Sequence, residues 1–253
     1  METVSTAFGK ATLTLETGKL AKQANGSILV RYGDTVVLVA ATADKGSGVG
    51  ADFFPLSVHY VEKAYAAGRI PGGFFKREGR LSESETLTSR LIDRPLRPSF
   101  DENYLAETLI MATVLSSDQD NAPDIAAMIG ASAALCVSDI PFYQPIGGIR
   151  VGRINGEFVV NPTATELEES ELNIIMAASK DAILMVEGEA KEVSEEVMLD
   201  ALWFGQEQIQ PIIQIQEELM QRCGKPKREV AIPEIDEELL TKVTAASQPK
   251  LVE

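Results

Sequence analysis

Hydrophobic and polar positions alternate through most of the first third of the chain. "ATLTLETG" (11–18) changes character at nearly every residue, and "SILVRYGDTVVLVAATA" (27–43) sets two apolar runs around Gly33-Asp34, a two-residue hairpin signal. "FPLSVHYVEK" (54–63) alternates again, with Leu56, Val58 and Tyr60 on one face, and "ETLIMATVLSSD" (107–118) reads as a buried, mostly apolar strand. "NAPDIAAMIGASAALCVSD" (121–139) is a predicted helix: Pro123 suits the first turn, and the Ala, Gly and Ser of its body allow close approach to a sheet or another helix.

A second sheet-like region follows. "GGIRVGRINGEFVVNP" (147–162) is centred on Asn155-Gly156, and "LNIIMAASKDAILMVEGEA" (172–190) reads as two strands turning near Ser179–Asp181. From Ser194 to about Cys223 the pattern is a long helix, with Ser194 as cap, Glu195 and Glu196 at the positive end of the dipole and Gly224 as stop. Pro211 predicts a kink or a break within it. "GKPKREVAIPEID" (224–236) reads as a linker, and "DEELLTKVTAASQPKLVE" (236–253) opens a helical unit that it does not complete, the pattern expected of a piece of a longer protein.

Charge changes this picture in one place. The 253 residues carry a formal net charge of -15. Eight basic residues (Lys63, Arg69, Lys76, Arg77, Arg80, Arg90, Arg94, Arg97) and four acids (Glu78, Glu83, Glu85, Asp93) give the stretch 63–97 a charge of +4, leaving -19 for the rest. An acidic body excludes indiscriminate coating by polyanions, but a local cationic patch can still bind one. No run approaches the ~18 apolar residues of a membrane span, and the N-terminus lacks the pattern of a secretory signal. Cys136 and Cys223 lie far apart in apolar or helical surroundings, which fits buried thiols in a reducing, cytoplasmic compartment.

Ser82 and Glu85 form an S-x-x-E capping box, so a helix is expected to begin just after Arg80. Arg90, Arg94 and Arg97 then share one face, with Leu87, Leu91 and Leu96 around the opposite side. Pro95 disturbs the helix end and makes Arg97 the least secure member of the stripe. Ahead of this helix, "GRIPGGFFKREGR" (68–80) presents Phe74 and Phe75 beside Lys76, Arg77 and Arg80. Aromatic faces stack on unpaired bases while cations follow the phosphates, as a single-strand channel requires. The pattern also admits other readings: the two phenylalanines could plug a core, and the arginine face could be a solvated surface or an internal ion-pair network.

Five segments carry a resemblance. "AAGRIPGGFFKREGRLSESETLTSRLIDRPLRPSF" (66–100), "DFFPLSVHYVEKAYAAG" (52–68), "NAPDIAAMIGASAAL" (121–135), "QPIGGIRVGRINGEFVVNPT" (144–163) and "AILMVEGEA" (182–190) resemble the first ribonuclease PH-like core domain of the bacterial polynucleotide phosphorylase family. The resemblance covers residues 1–225, and 226–253 looks like a linker and the start of the family's all-helical domain. It implies an α+β fold, ribonuclease PH-like (ribosomal-protein-S5 domain 2-like), with mixed sheets packed with helices and the beginning of an all-α domain after them. It also implies a phosphorolytic 3′→5′ exoribonuclease, a nucleotidyltransferase of mRNA decay and RNA processing. Its expected partners are single-stranded RNA, two further copies in a homotrimer, and proteins of an RNA-degradation complex.

By the match, Phe74 and Phe75 would be the stacking pair at the ring pore, and Lys76, Arg77 and Arg80 the phosphate clamps. Arg90, Arg94 and Arg97 would line the approach to a second core. The family usually has Arg where this chain has Lys76, which keeps the charge but loses bidentate geometry.

The same resemblance implies no catalytic and no metal-binding residue in this chain. Inorganic phosphate as co-substrate and Mg2+ would belong to the second core. In a catalytic core a Ser-rich helix start holds phosphate; here that turn is "SSDQDNAPDIAA" (116–127), where Asp118, Asp120 and Asp124 would repel it and Pro123 lacks an N–H. The strand expected to carry an Asp-x-Lys pair has Asn173 and no lysine. His59 is read as structural, and Glu166, Glu168, Glu169 and Glu171 as a solvated face. The alternative is a non-catalytic RNA-channel subunit of an exosome-like ring.

Overall fold

The tight turn between the third and fourth strands has the residue its backbone requires. β1 (Glu2–Phe8) pairs antiparallel with β2 (Ala11–Thr17), β2 with β3 (Gly26–Tyr32), and β3 with β4 (Thr35–Ala43). The Tyr32–Thr35 register leaves Gly33-Asp34 as the two-residue loop, with Gly33 at φ 60°. β6 (Thr108–Ser116) continues antiparallel to β4, and β5 (Leu56–Glu62) lies outside β6 and parallel to it, giving the order β1-β2-β3-β4-β6-β5. A parallel pair needs a crossover, which α1 (Glu83–Leu96) supplies. The second sheet is antiparallel throughout, in the order β10 (Ile183–Ala190), β9 (Leu172–Ala178), β7 (Gly147–Ile154), β8 (Glu157–Val160). Asn155 and Gly156, at φ 51° and 83°, make the β7–β8 turn. This computed structural model describes residues 1–46, 53–72, 78–118, 120–230, 232 and 237–252.

α2 (Pro123–Val137) is buried at every position from Ile125 to Val137, so it has no solvent face. Gly130 rests on the first sheet: a Cβ there would come within 2.6 Å of a Val39 methyl and 2.7 Å of a Val30 methyl. Met128 lies over Gly148 of β7 in the second sheet. Ser132 keeps its hydroxyl satisfied by accepting from the Ile146 N–H at 2.8 Å. α4 (Glu195–Cys223) takes the opposite face of β7, with Gly205 against Met176 and Val151 and Ile209 against Gly147. One apolar core joins both sheets, α1, α2 and α4. Both cysteines are free, and burial pushes the Cys136 thiol up to about 12.

Three expectations need correction or refinement. α4 runs unbroken through Pro211, because Pro211 is on the exposed side while Ile209, Ile212 and Ile213 are buried around it. The carbonyl left without its N–H, at Glu207, belongs to an exposed residue. Leu87 is 55% exposed; the buried face of α1 is formed by Glu85, Ser89, Leu91, Ile92, Pro95 and Leu96. The residues read as a linker begin on the core itself. Lys225 N–H donates to Val137 O (3.1 Å) and Arg228 N–H to Asp139 O (2.9 Å). Lys227 Nζ donates to the carbonyls of Leu135, Cys136 and Ser138 at 2.8–2.9 Å, closing the C-terminal end of α2, where carbonyls lack helical partners.

α5 (Glu237–Val252) is exposed at nearly every described position. No helix among the described residues is long and apolar enough to cross a membrane. The Gly130 contact has a measurable consequence. Gly130→Leu is expected to cost about 1–3 kcal/mol through overpacking against Val30 and Val39, read as a lower urea midpoint with unchanged slope.

Candidate nucleic-acid interface

The face that carries the arginines is positioned by an unfinished sheet edge. β5 is an outer strand, so its outward N–H and C=O groups have no strand partner. α1 supplies the partners. Ser89 Oγ accepts from the Tyr60 N–H at 2.9 Å, and Glu85 Oε1 accepts from the Glu62 N–H at 2.8 Å. Arg97 donates to Leu56 O and Phe54 O, at 3.0 Å each. Glu85 also closes the capping box: its Oε2 accepts from the Ser82 N–H (2.6 Å) while Ser82 Oγ accepts from the Glu85 N–H (3.1 Å). Burial pushes the Glu85 carboxyl up, but the Ser82 and Glu62 N–H groups outweigh it and hold the group below its usual range.

The arginine stripe therefore divides. Arg97 is committed to β5 and to Asp93 (2.9–3.1 Å), with its guanidinium carbon 5.9 Å from the centre of the Phe54 ring. Arg94 pairs with Glu187 of β10 at 2.5 Å while half exposed. Arg90 is exposed and has no hydrogen bond or ion pair among the described residues. All three line one shallow concavity with Asp93 and Pro98. Pro95 is accommodated: the helix continues to Leu96 and tightens into a 3₁₀ turn over Arg97–Ser99.

Phe74, Phe75, Lys76 and Arg77 lie outside the described residues. Arg80 is exposed and lines a second concavity with Lys63, Arg69 and Glu78. Lys63 and Arg69 counted toward the basic stretch but were not singled out as contacts. The turn that brings Lys63 beside Glu78 depends on tertiary structure and leaves no local signal.

The turn before α2 is filled by its own carboxylates. Asp118 accepts from the N–H groups of Asp34 (3.0 Å), Asp120 (3.0 Å) and Asn121 (2.8 Å), from the Asn121 amide (2.7 Å) and from the Thr35 hydroxyl (3.2 Å). Burial pushes its carboxyl up, but the Asn121 N–H and amide, then the Asp34 and Asp120 N–H groups, outweigh it and hold the group down to about 2. Asp124 pairs with Arg150 at 2.5 Å, and Arg150 also donates to Asn173 Oδ1 at 2.8 Å. These residues do not fit a phosphate or a metal ion: the carboxylates of Asp118 and Asp124 already have their donors, and no group of three His, Cys, Asp or Glu among the described residues is placed to hold a metal. His59 is exposed on β5.

The acids of 166–171 are not one solvated face. Glu166 closes a capping box with Thr163 at the start of α3 (Ala164–Glu169) and pairs with Lys10, and Glu171 pairs with Arg153 at 2.5 Å. Glu168 and Glu169 are exposed.

Two outcomes follow from this geometry. Ser89→Ala leaves the Tyr60 N–H unpaired against the helix and is expected to lower stability by about 1–3 kcal/mol, measurable by urea unfolding. Because the folded Asp118 carboxyl titrates below its unfolded value, its contribution is full above about pH 4 and lost as pH falls toward 2. Asp118→Asn is expected to be less stable at neutral pH and to show a flatter fall in thermal midpoint over that acid window.

Comparison with known proteins agrees with this architecture. The model described as "3' exoribonuclease family, domain 1" matches residues 11–141, and "3' exoribonuclease family, domain 2" matches 144–208. The break between them falls between α2 and β7, where the chain leaves the first sheet for the second. A polyribonucleotide nucleotidyltransferase of Geotalea uraniireducens is 58% identical over 254 aligned residues, covering 100% of this chain and 36% of the relative. Its counterpart in Geobacter sulfurreducens is 60% identical over 240, covering 95% and 34%. The chain thus spans about a third of the length of these curated relatives. Among solved structures, rice (Oryza sativa) Rrp46 superposes with a TM-score of 0.66 at 17% identity, covering 82% of this chain and 93% of that one, a likeness of fold. With a domain 1 match over more than half its length and a domain 2 match directly after it, the chain belongs to the 3′ exoribonuclease family.

Proposed function

We propose that this chain is the first core of a polyribonucleotide nucleotidyltransferase, a phosphorolytic 3′→5′ exoribonuclease, and that it guides single-stranded RNA without performing the chemistry. The observation that carries this reading is the 58% identity, over the whole chain, to a relative of that name. The geometry supports the guiding role: Arg90 and Arg94 stand exposed on a helix moored to β5, while Arg69 and Arg80 line a second concavity. Such cations follow a phosphate backbone without reading its sequence. Arg97 serves by holding the helix on which its neighbours stand. The carboxylate-filled turn before α2 supports assigning inorganic phosphate and Mg2+ to a second core.

In this reading the first core extends from the N-terminus through the docked segment 225–230, and 237–252 opens the helical domain. The active assembly is a homotrimer in the cytoplasm, working in mRNA degradation with other proteins of that process. An RNA-channel subunit of an exosome-like ring is the second reading. Its support is the fold likeness to rice Rrp46, at 17% identity against 58% for the first.

Replacing Phe74, Phe75 and Arg77 together by alanine in the full-length protein is expected to slow phosphorolysis of long single-stranded RNA by about tenfold or more, since each stacked base contributes roughly 1–3 kcal/mol. The thermal midpoint should not change. Wild-type kinetics in this variant would remove the guiding role from the segment.

A further inference from the structure

The arginine face of α1 carries less free charge than its residues suggest. Arg97 is matched by Asp93 on its own helix, and Arg94 by Glu187, which reaches it from β10 of the second sheet at 2.5 Å. Three cations set against two carboxylates leave a net charge of +1, and Arg90 is the cation without a partner among the described residues.

Strand alternation brings Glu187 to this place. Met185, Glu187 and Glu189 share one face of β10, where Met185 is buried and the two acids are exposed. In register, Glu187 lies opposite Ile175 of β9, and Ile175 opposite Arg150 of β7. Glu189, two residues on, accepts from the Asn173 amide at 3.5 Å and has no cationic partner among the described residues.

As a fastening, the Arg94–Glu187 pair adds little. Glu85, Ser89 and Arg97 already hold α1 on β5, and Leu91, Ile92 and Leu96 are buried beneath it. Both members of the pair are half exposed, at 50% and 52%, where water and salt screen most of the attraction. The pair has a different effect on a polyanion. A phosphate approaching Arg94 must displace Glu187, and the displaced carboxylate stays nearby as a repelling charge.

We propose that Glu187 is a positioning residue that tempers the hold of this face on RNA. It keeps Arg94 paired in the free protein, so an RNA phosphate gains that contact only by exchange with a carboxylate. The inference rests on the RNA-guiding role proposed above. Exchange suits a strand that has to move on: a contact that replaces an existing ion pair is readily given back, whereas three unpaired arginines would each hold a phosphate at every step.

Binding of a labelled single-stranded oligoadenylate to the full-length protein, followed by fluorescence anisotropy at about 0.1 M salt, reads this directly. Glu187→Gln keeps the shape of the side chain without its charge. It is expected to bind about two- to fivefold more tightly, with an unchanged thermal midpoint. Glu189→Gln removes the same charge from the same face of β10 without freeing an arginine, and should bind nearly as the wild type does. In an Arg94→Gln background the gain from Glu187→Gln should disappear, because no arginine is then left to release.

Binding by Glu187→Gln that equals or falls below that of the wild type overturns the inference. So does a gain that survives in the Arg94→Gln background, or one that Glu189→Gln reproduces in full, since either is an effect of net charge alone. Arg90→Gln separates the two levels. If it binds as the wild type does, the guiding role of this face falls, and the inference with it. If it weakens binding while Glu187→Gln brings no gain, only the role of Glu187 falls.

Discussion

A helix with no solvent-facing side can pack only where every neighbour comes close, and α2 meets this condition. From Ile125 to Val137 its residues are buried without exception, and most of them are small. Gly130 lets the valines of β3 and β4 approach the helix axis, and Gly148 on β7 makes room for Met128 from the other direction. The two sheets thus share one apolar core through a single helix. Just ahead of α2 Asp118 gathers its donors, and in the first turn of the helix Asp124 pairs with Arg150.

A second constraint concerns the unpaired edge of β5. The chain covers it with α1 and meets the backbone with side chains: Ser89 and Glu85 receive the N–H groups, and Arg97 serves the carbonyls. This explains why a helix rich in arginine has polar residues at buried positions. It also accounts for the uneven fate of three arginines on one face. Those nearest the sheet edge or β10 are drawn into structural contacts, and Arg90 keeps its charge for solvent.

Features whose partners are close in sequence were legible from the sequence. The two hairpin turns, the Ser82–Glu85 box, the stop at Gly224 and the resemblance to a ribonuclease PH-like core all rest on local pattern. Features that depend on distant partners were not. Leu87 and Ile92 are both apolar on an amphipathic helix, and only the position of β5 decides that Leu87 is exposed and Ile92 buried. Glu166 and Glu171 looked like a solvated acidic run until Lys10 and Arg153 came beside them. Pro211 carried a real local penalty, but with buried isoleucines around it the helix is not broken there. The division of the arginine stripe was hidden for the same reason, since the partners of Arg94 and Arg97 include Glu187 and the backbone of residues 54 and 56.

The docked segment after α4 has a mechanical meaning. Lys227 holds three carbonyls at the end of α2, and Arg228 holds Asp139 and the carbonyl of Asp44. Tension applied to the chain beyond residue 230 would load these bonds before reaching α4. A force from that side would enter the molecule at the end of α2, its most enclosed element.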